Sequence, residues 1–198
     1  MPFGARGRPC HGDDRRLLPS AQLTNLFLLC RRRPLGLTGL CRQPLTEEER
    51  LALDAQLYTA AKDGDAAAVE RLAGEGASAD AKHEGGWPAV VWAAHQGHTE
   101  VVEALLRLGC DPNAPNRNGG TALMDAAGKG HGGVVGALLE HGGADLDAVD
   151  SEGGTALMLA AAYGNAAVAA QLVEAGADAT LRATGGGWEG KTALRSRR

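Results

Sequence analysis

One nine-residue phrase occurs twice in this chain. Gly119-Gly120-Thr121-Ala122-Leu123-Met124-Asp125-Ala126-Ala127 returns thirty-four residues later as Gly153-Gly154-Thr155-Ala156-Leu157-Met158-Leu159-Ala160-Ala161. Self-similarity at that period marks a supersecondary unit copied in tandem, and it ranks above any local motif in deciding the fold. The phrase sits in a longer frame. Ala60-Ala61, Ala93-Ala94, Ala126-Ala127 and Ala160-Ala161 are spaced by 33, 33 and 34, and a glycine follows three residues later at Gly64, Gly97, Gly130 and Gly164.

An apolar run comes next in the last three copies: Val101-Val102 with Leu105-Leu106, Val134-Val135 with Leu138-Leu139, and a weaker Val168 with Leu172-Val173. Each closes on a glycine and an acid, in Gly109-Cys110-Asp111, Gly143-Ala144-Asp145 and Gly176-Ala177-Asp178. The pattern reads as helix, tight turn, helix, C-terminal glycine and polar loop. Paired alanines let neighbouring helices approach closely, and the Val/Leu helix carries most of the apolar area between layers. Only 4% of the chain is aromatic, which suits a thin stack better than a deep globular core. At the front, Thr46-Glu47-Glu48-Glu49 has the form of a capping box, with acids on the positive end of the helix dipole.

These phrases resemble the ankyrin repeat. The family writes G-x-T-P-L-H-x-A-A, then G-H-x-x-V-V, then G-A-D-x-N-A. The chain offers Gly119-x-Thr121-Ala122-Leu123, Gly97-His98-x-x-Val101-Val102 and Gly109-Cys110-Asp111-Pro112-Asn113-Ala114, with the resemblance running over about residues 50–194. It departs from the pattern where Pro-Leu-His becomes Ala89-Val90-Val91, Ala122-Leu123-Met124 and Ala156-Leu157-Met158. Gly142-Gly143 adds one residue, and Gly185–Trp188 lengthens the last loop. The resemblance implies an all-α solenoid of four helix pairs plus a truncated fifth unit, with short β-hairpin-like tips. Such a stack is stabilised between neighbours and needs polar caps. At its C-terminal end Val168, Leu172 and Val173 are expected to be covered only by a stub at Thr192–Arg195. With Gly132, Gly133 and Gly136 in one helix as well, the C-terminal half is expected to open first.

Residues 1–45 form a second region, an Arg/Pro/Gly-rich tail expected to be disordered. It carries eight Arg and two Asp, whereas residues 46–198 carry 12 basic and 22 acidic side chains, a net −10. That balance argues against nucleic-acid binding by the body. The tail's apolar run from Leu23 to Cys30 is too short and polar to span a bilayer and lacks a signal-peptide cleavage site. Its composition is weakly transit-peptide-like. Cys10, Cys30 and Cys41 lie in the tail and Cys110 alone in the body, with no CxxC pair, so a reducing compartment is expected. The location expected is cytoplasmic, with nuclear and organellar locations as alternatives.

Several motifs invite chemistry. Gly185-Gly186-Gly187-Trp188-Glu189-Gly190-Lys191-Thr192 satisfies the phosphate-binding pattern G-x-x-x-x-G-K-[ST]. It is preceded by helical repeats rather than a strand, and the repeat phase accounts for Gly190, Thr192, Ala193 and Leu194 without a nucleotide. His98 and His131 share a repeat position, with His95 and His141 nearby, but no acid or cysteine joins a pair of them at ligand spacing. They read as turn histidines bonded to local backbone. Cys10, His11, Cys30 and Cys41 are spaced too irregularly for a metal set. No nucleophile elbow accompanies the scattered Ser, His and Asp residues. Asn113 reads as a loop asparagine bonding the turn. No cofactor, metal or catalytic residue is assigned, and the chain is expected not to be an enzyme.

What remains is a face. In ankyrin proteins partners dock on the tips and the exposed side of the first helices. In phase, the variable positions are Glu84, Trp87, His95 and Gln96, then Arg117 and Lys129, then Ser151, Glu152 and Tyr163. Tryptophan is enriched at binding hot spots, which singles out Trp87 against its alternative role of packing over the Gly85-Gly86 turn. Trp92 either shares that face or packs between helices. The resemblance therefore implies a protein-binding adaptor, expected to be monomeric, or the interaction segment of a larger enzyme or channel.

Overall fold

A computed structural model of the chain describes residues 45–82, 85–141, 143–183, 185, 190 and 192–193. The basic tail with its Leu23–Cys30 run and three cysteines lies outside them. The first helix, α1 (Glu47–Asp63), opens on the capping box expected of Thr46: its hydroxyl accepts from the Glu49 amide at 3.2 Å, and its own amide donates to the Glu49 carboxylate at 3.1 Å. The second, α2 (Ala66–Glu75), is capped by Asp65, whose carboxylate accepts from the Ala68 amide at 2.9 Å. Three further pairs follow: α3 (Ala89–Gln96) with α4 (Thr99–Arg107), α5 (Ala122–Lys129) with α6 (Gly132–Glu140), and α7 (Ala156–Ala162) with α8 (Ala166–Glu174).

The pairs stack. First helices α1, α3, α5 and α7 pack in one row, second helices α2, α4, α6 and α8 in another, and each first helix packs on its own second helix. Ala93, Ala94, Ala126, Ala127 and Ala160 are fully buried, which is why larger residues are absent there. Leu57, Leu105, Leu123, Leu138 and Leu172 fill the space between rows, with Val69, Val101, Val102, Val134 and Val135. The second leucine of each pair contributes less than its sequence pattern implies. Leu106 and Leu139 are half-buried, and Ala104 and Ala137 take the inner positions.

The tips form turns rather than strands. Among the described residues there is a single antiparallel bridge, Lys82 to Pro88, and no strand. At the next two tips the Asn116 amide donates to the Gly120 carbonyl at 2.9 Å, and the Asp150 amide to Gly154 at 3.0 Å. The Asn116 and Asp150 side chains each accept two further backbone amides and hold the turn closed.

Side chains stitch each repeat to the next along two edges. On the turn edge, His98 Nε2 lies 3.1 Å from the Lys62 carbonyl and His131 Nε2 3.2 Å from that of His95. Asn165 donates to the Ala127 and Gly128 carbonyls at 2.8 and 2.9 Å. The turn histidines thus bond the preceding repeat, not local backbone, and satisfy carbonyls at the end of its first helix. The turn glycine has a matching second duty. Gly97 has φ +82°, and a Cβ there would come within 2.8 Å of the His131 ring. On the loop edge, Asp80 accepts the Asp111 amide, Asn113 the Asp145 amide and Asp147 the Asp178 amide, at 2.8 to 2.9 Å. Asn113 also donates to the Gly143 carbonyl, so it bridges two loops rather than closing its own turn.

At the C-terminal end the expected exposure is only partly found. Val168 and Leu172 are buried, because α8 packs on α6 and α7; Val173 alone is left 53% exposed. Of the glycine-rich Gly185–Thr192 segment, residues 186–189 and Lys191 lie outside the described residues, so the phosphate-binding pattern does too.

Candidate functional site

The stack is built almost entirely from small and aliphatic residues, which makes one region stand apart. Between the first helices α3, α5 and α7 and the tips before α5 and α7 lies a groove of about 370 Å³. Trp87, His95, Met124, Asp125, Gly128, Lys129, Leu159 and Tyr163 line it, with Asn116, Asn118, Gly120 and Asp150 along the tips. Its position follows from the repeat frame. The residue just before each alanine pair is Thr59, Trp92, Asp125 or Leu159; the one just after is Lys62, His95, Gly128 or Ala162. One helical turn carries both onto the same side of the first helix, so successive repeats lay their variable residues side by side.

The aromatic side is a ring cluster. Trp87 meets Trp92 edge-on at 5.4 Å and His95 edge-on at 6.0 Å, while Trp92 stacks on His95 at 5.8 Å and reaches Tyr58 at 6.4 Å. Trp92 therefore joins the face and packs between helices at once. Trp87 is half-buried on these rings, and the Gly85-Gly86 turn is covered instead by Arg117, whose side chain would lie 2.9 Å from a Cβ on Gly86. Tyr163 is 69% exposed, and its ring would lie 3.7 Å from a Cβ on Gly128.

The polar side is under-satisfied. His95 Nδ1 lies 3.8 Å from an Asp125 carboxylate oxygen, a distance at which a charged pair attracts but no hydrogen bond forms. Four buried side-chain polar atoms have no hydrogen-bond partner among the described residues. Three belong to this cluster: Trp92 Nε1, His95 Nδ1 and Asp125 Oδ2. Burial pushes the Asp125 carboxyl above its ordinary value, against the opposing pull of His95 and Lys129. Native proteins rarely leave buried polar atoms unpaired, so each of the three calls for a partner from outside the described residues, water included.

Four of the nine residues expected on the face, Trp87, His95, Lys129 and Tyr163, share the groove. Gln96 and Arg117 are exposed outside it, Ser151 and Glu152 belong to the neighbouring tip turn, and Glu84 lies outside the described residues. Asp125, Asn116, Asn118 and Asp150 were not among the nine. The signal for Asp125 was present: it breaks the repeated phrase at the position where the other copy has Leu159.

The family described as ankyrin repeats (3 copies) matches residues 57–150 and 108–183, which spans all but the first turns of the stack. The chain belongs to the ankyrin repeat family. No curated protein is significantly similar to it. Ankyrin repeats are in general protein–protein interaction modules. Within that framework the groove lies on the surface made by first helices and tips. Among the described residues no three His, Cys, Asp or Glu side chains converge on a point that could hold a metal ion. No helix among them is long and apolar enough to cross a membrane. The buried Cys110 thiol is pushed up to about 12, first by burial and then by Asp80 and Asp111, so it is a packing residue rather than a nucleophile.

Proposed function

We propose that this chain is a non-enzymatic adaptor that docks a partner protein on the concave face formed by its first helices and tips, with Trp87, His95, Lys129 and Tyr163 in the contact. The observation that carries the reading is the groove itself. It is the place where a stack of alanines and leucines gathers aromatic rings, charge and unpaired polar atoms. Aromatic side chains at the centre of such a face give large contact area at low entropic cost. The other expected positions among the described residues, Gln96, Arg117, Ser151 and Glu152, form its rim.

The test is affinity capture with the full chain against its Tyr163→Ala and Trp87→Ala variants. Tyr163→Ala is the cleaner of the two, because so little of that ring is buried. A partner held by the wild type and lost by Tyr163→Ala, with the helical circular dichroism unchanged, supports the reading. A partner held equally by all three proteins places the contact elsewhere.

A further inference from the structure

Building on that face as the docking surface, we propose that its groove receives a cationic side chain of the partner, an arginine guanidinium, between the Asp125 carboxylate and the rings of Trp87 and Tyr163. The carboxylate sets the sign. Asp125 Oδ2 is a buried acceptor with no donor among the described residues, on a side chain that is still 24% exposed, and His95 Nδ1 stands 3.8 Å from the other carboxylate oxygen. A guanidinium offers only donors, five of them in a planar fork matched to a carboxylate. An incoming carboxylate would meet the like charges of Asp125 and Asp150, with the buried Trp92 Nε1 as the one unpaired atom that only donates.

Charge and shape agree. Two carboxylates, Asp125 and Asp150, line the groove against one cation, Lys129. The Asp150 carboxylate is anchored at the rim by the Glu152 and Gly154 amides, 2.9 and 2.8 Å away. Residues 46–198 carry a net −10, which attracts a basic partner at long range. Tyr163 presents most of its ring to solvent and Trp87 part of its own, surfaces on which a guanidinium stacks better than an ammonium. Gly128 keeps the floor open, since it places no side chain beneath the Tyr163 ring.

The probe is the blocked tripeptide acetyl-Gly-Arg-Gly-amide, with Lys, citrulline or Glu in place of Arg. Each is titrated to about 20 mM into the isotope-labelled full chain and followed by the Trp87 indole, Gly128 and Tyr163 resonances. The Arg peptide is expected to give saturable shifts at all three positions and the Lys peptide weaker ones. Citrulline, which keeps the shape without the charge, and Glu are expected to give none. Asp125→Asn is expected to weaken the Arg peptide about tenfold and Tyr163→Ala about threefold, with folding checked by circular dichroism. Shifts from the Glu peptide, equal shifts from citrulline, no shift from Arg, or an unchanged response in Asp125→Asn would each overturn the assignment. The two readings fail separately. If the Arg peptide leaves the groove unmoved while Tyr163→Ala still abolishes partner capture, the docking face stands and the guanidinium falls. If the peptide binds as expected and capture ignores Tyr163, the groove's preference stands and the docking face falls.

Discussion

Gly136 offers a direct test of how this stack is held together. It lies inside α6, and a Cβ placed on it meets nothing within 4 Å. Replacing it with alanine should therefore add helix propensity without steric cost, a gain of about 0.8–1 kcal/mol. For a body of this size that corresponds to roughly 2–4 °C in melting temperature. Two neighbours serve as controls. At Gly133 the new Cβ would stand 3.0 Å from the Thr99 hydroxyl, so the same propensity gain meets a close contact and the net change should be near zero. At Gly130 the backbone has φ +81° and the Cβ would come within 2.8 Å of the Asn165 side chain; this variant should lose about 1–3 kcal/mol. Urea unfolding ranks the three proteins. Because repeats can open one at a time, amide exchange in α6 gives the local value that a global midpoint averages away. In the wild type, residues 130–176 should exchange faster than 65–110, and Gly136→Ala should narrow that gap. If Gly136→Ala is neutral or destabilising, or if Gly130→Ala matches the wild type, the propensity argument for this helix is wrong.

Asn165→Ala removes the donors held by the Ala127 and Gly128 carbonyls and should cost about 1–2 kcal/mol in urea unfolding. Asn165→His should recover most of this, because histidine does the same work at His98 and His131. Burial raises the Asp125 carboxyl in the folded state, so the stability tied to it is present at low pH and lost as pH rises through the folded value. Urea midpoints of Asp125→Asn and wild type, compared at about pH 4 and about pH 7.5, should shift in the variant's favour at the higher pH; a shift in the wild type's favour would contradict the burial argument. Cys110 should resist iodoacetamide in the native protein at about pH 8, where only about one thiol in ten thousand is ionised, and its peptide should carry the label only after unfolding.

Much of the fold was legible because its determinants are local. A capping box at Thr46, paired alanines and a glycine three residues later are chemical statements about one turn of backbone, and they recur in phase. What escaped reading was contact between repeats. Asp80, Asn113 and Asp147 look like ordinary loop acids and amides, and only the stacking brings each within reach of an amide about thirty residues on. Leu172 was expected at an open end for the same reason: its cover comes from α6 and α7, not from the residues after it. The groove was half visible. Trp87 and Tyr163 stand out by size, whereas Asp125 hides inside a phrase that otherwise builds the stack. Gln96, Ser151 and Glu152 vary without entering the groove, because exposure alone does not make side chains converge.

The two seams between repeats run in opposite senses. Along the turns, a side chain of the later repeat reaches back to carbonyls of the earlier one. Along the loops, a side chain of the earlier repeat reaches forward to an amide of the later one. Each repeat thus gives one side chain to each neighbour and asks for one in return, so every junction has the same plug and socket. Lengthening such an array needs no change to its existing members. A unit spliced between Glu75 and Trp87 would join if it brought a His or Asn at its turn and an Asp or Asn in its loop, and the groove beyond it, lined from Trp87 to Tyr163, would be carried along intact.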